Sequence, residues 1–291
     1  MIEHLLPRLR WLPGAFAALL VLSGCQTGKV PSATTGAPPE ASKKTVRIPA
    51  FDSETAPAVP TLEEGGFDPE PAFEDTFDPG WNRTQSKWQI ATWVQNGTRM
   101  SPSRCRANED GHLVQTVLPG EPYRGGSLQS RREFGYGRWL ARVRPPSVPG
   151  SLHSIFTKDW DDLTTDTPHD GRKAEVDIEF LTYTFGRGKG EVHLAIHLLN
   201  HSPLWHADVK IDFDPSESFN VWGFDILPDR VVWHVNGRVI HTWMYSDENY
   251  VDPDYEMLFN SWTRDVWIKG PPEQQADYHI DWVRFHPLAE D

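Results

Sequence analysis

Glu175-Val176-Asp177-Ile178-Glu179-Phe180 sets three acids in strict alternation with three apolar residues. On a β-strand, side chains two apart share a face. The stretch therefore predicts a strand that sends Val176, Ile178 and Phe180 into a core and lines up Glu175, Asp177 and Glu179 on the opposite side. Neighbouring acids in such a row stand about 6.7 Å apart. At an effective dielectric of about 20 they repel by roughly 2 kcal/mol per pair. A fold gains nothing in stability from that arrangement. Three readings remain open on the pattern alone: a solvent-facing polar strand, a hard-cation site, or a pair of carboxyl groups held in different protonation states for acid–base chemistry.

The same alternation recurs on both sides of this stretch. Gly137-Arg-Trp-Leu-Ala-Arg-Val-Arg144 and Val192-His-Leu-Ala-Ile-His-Leu198 both alternate, and Tyr278-His-Ile-Asp-Trp-Val-Arg-Phe285 forms a closing strand. Arg230–Val235 and Arg238–Trp243 flank Asn236-Gly237, the strongest two-residue hairpin signal. Many short strands at this spacing predict an all-β sandwich or barrel. A long polar loop, Thr157–Lys173, precedes the acidic strand where the rim of a cleft would lie, and carries Trp160. His193, His197 and His201 would fall on one face of a helix and suggest zinc, but the alternating Val192, Leu194, Ile196 and Leu198 favour a strand.

The ends of the chain have a different texture. Arg8 and Arg10 precede an apolar run, Ala15–Leu22, that closes on Leu22-Ser23-Gly24-Cys25. This reads as a secretory signal over residues 1–24, too short to span a bilayer comfortably. The ending resembles a bacterial lipobox, which implies cleavage before Cys25 and lipidation of its thiol. Gln26 follows rather than Asp, which by that resemblance favours the outer membrane of a bacterial cell envelope. Residues 25–72 are rich in Pro, Ala, Thr, Ser and Glu and read as a disordered tether. The folded domain is expected over residues 73–287. Beyond Cys25 the chain has one cysteine, Cys105, so no intrachain disulfide is available and Cys105 is expected buried. The formal net charge of −13 argues against nucleic acid or an anionic lipid surface as partner. Thirteen Trp is a high count, which suits both sugar-stacking and sandwich cores.

With its flanking segments, the acidic stretch resembles glycoside hydrolase family 16, near the lichenase and bacterial exopolysaccharide-glycanase branches. Glu175-Val-Asp-Ile-Glu-Phe-Leu181 is similar to the family's nucleophile strand. Upstream, Tyr136-Gly-Arg-Trp-Leu-Ala-Arg-Val-Arg-Pro145 matches a second family strand. Downstream, Phe213-Asp-Pro-Ser-Glu-Ser-Phe219, Trp222-Gly-Phe-Asp-Ile-Leu-Pro228, Trp233-His-Val-Asn-Gly237, Leu258-Phe-Asn-Ser-Trp262 and Asp281-Trp-Val-Arg284 follow in family order. The resemblance implies a concanavalin A-like β-jelly-roll with a concave cleft. It also implies endo-acting, retaining hydrolysis of β-glucan or a related neutral polysaccharide or exopolysaccharide.

Glu175 would be the nucleophile, Glu179 the acid/base and Asp177 the residue tuning both. Repulsion from neighbouring anions is expected to raise the pKa of Glu179. His193, Ala195 and His197 stand where lichenases carry Gln, Asn and Tyr, so the substrate does not follow from either branch. Asn260, Trp262, Phe156 and Trp139 align near the family's cleft, with Trp262 as a candidate sugar platform and core packing the alternative for Phe156 and Trp139. Trp160 is a further candidate from its place on the loop. No cofactor is required for catalysis. The family implies a structural Ca2+, for which Asp281 and the Gly111 carbonyl are the candidates. A monomer is expected, with membrane attachment through the lipid alone. The alternatives are a transglycosylase on the same substrates, a non-catalytic polysaccharide-binding lipoprotein, and an envelope scaffold.

Overall fold

A computed structural model describes residues 46–81, 87–159, 174–198, 203–246, 250–264 and 267–290. Strands, numbered in chain order, form two sheets. The first runs β1 (Val46–Arg47), β13 (Pro203–Ile211), β12 (Gly190–Leu198), β11 (Ala174–Leu181), β10 (Leu152–Lys158), β17 (Glu256–Trp262), β8 (Arg124–Ser130), β5 (Thr98–Met100) and β4 (Val94–Gln95), with β3 (Trp88–Ile90) also paired to β8. The second runs β16 (Arg238–Met244), β15 (Arg230–Val235), β14 (Asn220–Ile226), β9 (Gly137–Arg144), β18 (Ala276–Pro287), β7 (Leu113–Val117) and β6 (Cys105–Ala107), with β2 (Phe73–Asp75) on β18. Among the described residues the pairings are antiparallel except β1 with β13 and β5 with β8. Chain neighbours such as β9 and β10 lie in different sheets, as a jelly-roll requires.

The core lies between the sheets and follows the alternation. Val176, Ile178 and Phe180 of β11 are fully buried there, as are Trp222, Phe224 and Ile226 of β14 and Val231, Trp233 and Val235 of β15. The Phe180 ring meets Trp222 edge-on at 5.1 Å. Burying each large apolar side chain contributes about 2 kcal/mol, enough to anchor β11 despite the acids on its other face. The Asn236-Gly237 turn has φ of 48° and 74°, the pair of positive values that a type I′ hairpin needs. Cys105 is buried among core residues, and burial pushes its thiol up to about 12, which makes it inert.

Residues 46–72 depart from the expected tether. Val46 and Arg47 pair with Ala207 and Asp208. Phe51 enters the core, its amide donating to the Lys210 carbonyl at 2.7 Å. The segment then runs along the edge strand β16, where Val59 and Val239 amides donate to the Gly237 and Pro57 carbonyls, and reaches the outer face of the second sheet, where Phe67 packs with Leu227 and Val232. A composition poor in large apolar residues concealed this strap. Two well-placed phenylalanines and a series of backbone hydrogen bonds hold it, so the folded domain starts well before residue 73.

Candidate active site

The parity of β11 places Glu175, Asp177 and Glu179 on the outer face of the first sheet. Register then decides what surrounds them. On β12, His197 stands opposite Glu175, Ala195 opposite Asp177 and His193 opposite Glu179. On β10, Phe156 stands opposite Asp177 and Ser154 opposite Glu179. One strand further, Asn260 of β17 is in register with Ser154. In the core, Trp233 Nε1 donates to the Asp177 backbone carbonyl at 3.0 Å and fixes the middle of the acidic strand from behind.

The three acids sit in different electrostatic settings. Lys158, at the end of β10 and almost entirely buried, forms an ion pair through Nζ with Glu175 Oε2. Asp177 is 3% exposed, and its carboxyl is raised well above the ordinary carboxylate range. Burial is the main cause, followed by the charges of Glu175 and Glu179, while Lys158 opposes the shift. His197 Nε2 lies 3.6 Å from Asp177 Oδ2. Glu179 is pushed up to about 7, first by burial and then, against the pull of His193, by the charges of Glu175 and Asp208. Desolvation, rather than the expected repulsion between neighbouring acids, is thus the larger cause.

His193 links Glu179 to β13. Its Nδ1 is 2.6 Å from Asp208 Oδ1 and its Nε2 is 4.0 Å from Glu179 Oε2. Burial disfavours charge on His193, but the Asp208 hydrogen bond and the nearby carboxylates outweigh it and raise its pKa. The same bond lowers that of Asp208. His206 stacks on the His193 ring at 5.3 Å, and Trp267 meets it edge-on at 5.2 Å.

The structure sorts the remaining candidates. Asn260 lies on the acid face, its Oδ1 accepting from Ser154 Oγ and its Nδ2 donating to Gln95 at 3.2 Å. Phe156 lies there too, beside Asp177. Trp139 does not. It is buried between the sheets among Phe73, Phe134 and Phe285, on the same side of β9 as Ala141 and Val143. Trp262 is on the acid face but only 4% exposed, packed with Met100, Leu152 and Ile268, so it is a wall of the site rather than an open platform. Trp267, 40% exposed, presents the accessible indole. Trp160 and Cys25 lie outside the described residues.

The Ca2+ expectation meets an obstacle at Asp281. Its Oδ2 is ion-paired with the Arg142 guanidinium, and His112 Nε2 stands 3.9 Å from Oδ1. Gly111 occupies a turn closed by Asn108, whose side chain accepts from the Asp110 and His112 amides. A guanidinium on the carboxylate supplies the positive charge that a cation would bring, so these residues do not fit a calcium site. Among the described residues, no group of three or more His, Cys, Asp or Glu gathers to hold a metal.

Lys158, Asp208, His206 and Trp267 were missed in the sequence. Lys158 falls within the expected loop Thr157–Lys173, whereas β10 extends to it and carries it onto the acid face two residues beyond Phe156. The other three sit on a strand and a loop that only register brings beside His193.

A paired carboxylate and a carboxyl that keeps its proton near neutrality, on one face of a jelly-roll sheet, suit glycosidic bond cleavage. The profile of Glycosyl hydrolases family 16 matches residues 73–284. The chain belongs to that family.

Its enzyme class is therefore that of a glycosidase. Among its family 16 relatives, the β-glucanase of Brevibacillus brevis is 30% identical over 236 residues, 75% of this chain and 82% of the relative. The β-glucanase of Bacillus subtilis is 27% identical over 72% of this chain and 85% of its own length. Solved structures share the fold. The Bacillus licheniformis β-glucanase superposes with a TM-score of 0.63 at 20% identity, covering 77% of this chain and all of its own. The laminarinase catalytic domain of Thermotoga maritima superposes with a TM-score of 0.62 at 18% identity, covering 75% of this chain and 98% of its own.

Proposed function

We propose that this family 16 enzyme is an endo-acting, retaining glycosidase of β-glucan or a related neutral polysaccharide, with Glu175 as nucleophile and Glu179 as acid/base. The observation that carries this reading is the asymmetry between the two glutamates. Glu175 is paired with a lysine, whereas burial holds the Glu179 carboxyl near 7. A retaining mechanism needs one anionic and one protonated carboxyl at the start. Asp177, buried between them, is raised too, first by desolvation and then by the charges of Glu175 and Glu179. The β-glucanase relatives support a glucan substrate. Trp267, held against His193, offers an exposed aromatic surface to a sugar at the Glu179 end of the site. The proposal extends to a monomer attached at Cys25 to the cell envelope, facing its polysaccharide.

The test is a panel of mixed-linkage β-glucan, laminarin, agarose, xyloglucan and host exopolysaccharide, incubated with the purified full chain, with products followed over time. Internal cleavage with retained anomeric configuration is expected. Glu175→Gln should lower turnover by about a thousandfold or more. Binding without cleavage across the panel would favour a lectin role. Products longer than the starting chains would identify transglycosylation.

A further inference from the structure

Lysine is among the residues least often buried, and it is tolerated inside a protein when paired. Lys158 is 5% exposed. It closes β10 on the acid face, opposite Glu256 of β17, and its Nζ forms an ion pair with Glu175 Oε2. Its charge also acts on Asp177. The cation therefore stands at the nucleophile end of the row, while His193 and Asp208 stand at the other end, beside Glu179.

We infer that Lys158 is a positioning residue for the nucleophile, one that favours release of the sugar from Glu175 over its capture. The inference rests on the retaining reading above. In the first step of that reaction a Glu175 oxygen bonds to the anomeric carbon. The bond from that carbon to the leaving-sugar oxygen breaks, and this oxygen takes the proton of Glu179. In the second step water bonds to the same carbon and gives a proton to Glu179. The Glu175–carbon bond breaks and its electron pair returns to the carboxylate. A cation fixed at Glu175 Oε2 stabilises the anion more than the ester, since the ester carries no net charge.

Lys158 therefore slows the first step and speeds the second. The second step needs this help most. The negative charge returns to Glu175 before Glu179 has fully taken up the proton from water, so two glutamates of one strand share charge at that moment. Glu256 faces the same lysine across the β10–β17 pairing and adds a further carboxyl group to this end of the site. The ion pair also fixes the rotation of the Glu175 carboxylate, which offsets part of its cost to the first step.

The experiment compares the full-length wild type with Lys158→Met, Lys158→Gln and Lys158→Arg. Steady-state cleavage of mixed-linkage β-glucan is measured first. Pre-steady-state release of dinitrophenol from a dinitrophenyl β-gluco-oligosaccharide follows, and intact mass is recorded during turnover. For Lys158→Met, turnover should fall by about tenfold or more. A burst near one equivalent should appear, and the mass of the glycosyl-enzyme should accumulate. Lys158→Arg should restore most turnover and remove the burst. If Lys158→Met is unfolded by circular dichroism, Lys158→Gln carries the same comparison. Turnover within twofold of wild type without a burst would overturn the inference. So would equal loss in both steps that Lys158→Arg does not rescue, because that is the signature of a merely structural lysine. If the wild type cleaves no polysaccharide of the panel and releases no dinitrophenol, the retaining glycosidase reading itself fails, a result separate from either outcome for the variants.

Discussion

Each sheet carries buried acids on its outer face, but the two groups are treated in opposite ways. On the second sheet Asp225 is 3% exposed and fully matched. Arg138 donates to both its oxygens, at 2.7 and 2.8 Å, and His234 Nε2 lies 3.1 Å away. Arg138 in turn donates to the Pro60 carbonyl and lies over the Phe67 ring, so the N-terminal strap seals the cluster. Burial opposes charge on Asp225, yet these partners lower its pKa. On the first sheet, Asp177 is as deeply enclosed and Glu179 somewhat less so, and theirs are raised. The physical difference is compensation. A buried carboxylate given a bidentate guanidinium becomes a structural joint. A row of carboxyls with too little nearby positive charge for all of them keeps protons, and so retains the capacity to exchange them.

The sharpest way to break this contrast is to remove compensation where it is complete. Arg138→Met should cost about 3–5 kcal/mol by leaving Asp225 buried and unpaired. Denaturant unfolding of the full chain measures this. A loss under 1 kcal/mol would show that the pair is not the joint described.

The converse test removes frustration. The Glu179 carboxyl binds its proton more tightly in the folded protein, near 7, than at its ordinary value of 4.5. The folded state therefore holds more protons between those values, and stability falls as pH rises through them. Glu179→Gln should accordingly raise the melting temperature at pH 8 by a few degrees and leave it nearly unchanged at pH 4. In the proposed mechanism the same carboxyl gives its proton in the first chemical step, so wild-type kcat/KM should fall above about pH 7. A flat profile up to pH 9 would contradict the assigned acid. The smallest expected effect concerns Asp281. With Arg142 already paired to it, millimolar Ca2+ or a chelator should shift the melting temperature by less than about 1 °C.

Much of the fold could be read directly because strand alternation is a local property. Gly137–Arg144 and Arg230–Val235 appear as strands with the expected bounds, and the positive φ values at Asn236 and Gly237 follow from those residue types. The same rule, applied to β9, puts Trp139 on the side of Ala141 and Val143, in the core, whereas the family alignment pointed to the cleft. The strap was illegible because its anchors, Phe51 and Phe67, are isolated in a stretch whose average composition resembles a linker. What holds it is mostly backbone pairing to strands more than 150 residues away, for which composition leaves no trace.

The amino-acid sequence by itself determined the acid row, its parity against the core, and the all-β framework, since each depends on a period of two along a single strand. Only the tertiary structure decided what each acid became. Lys158 from β10, His193 from β12 and Asp208 from β13 meet Glu175 and Glu179 through register between strands. Desolvation, the main cause of the shifts at Asp177 and Glu179, depends on everything packed around them. Protonation state is thus a property of the assembled sheet, while the order Glu, Asp, Glu belongs to the chain.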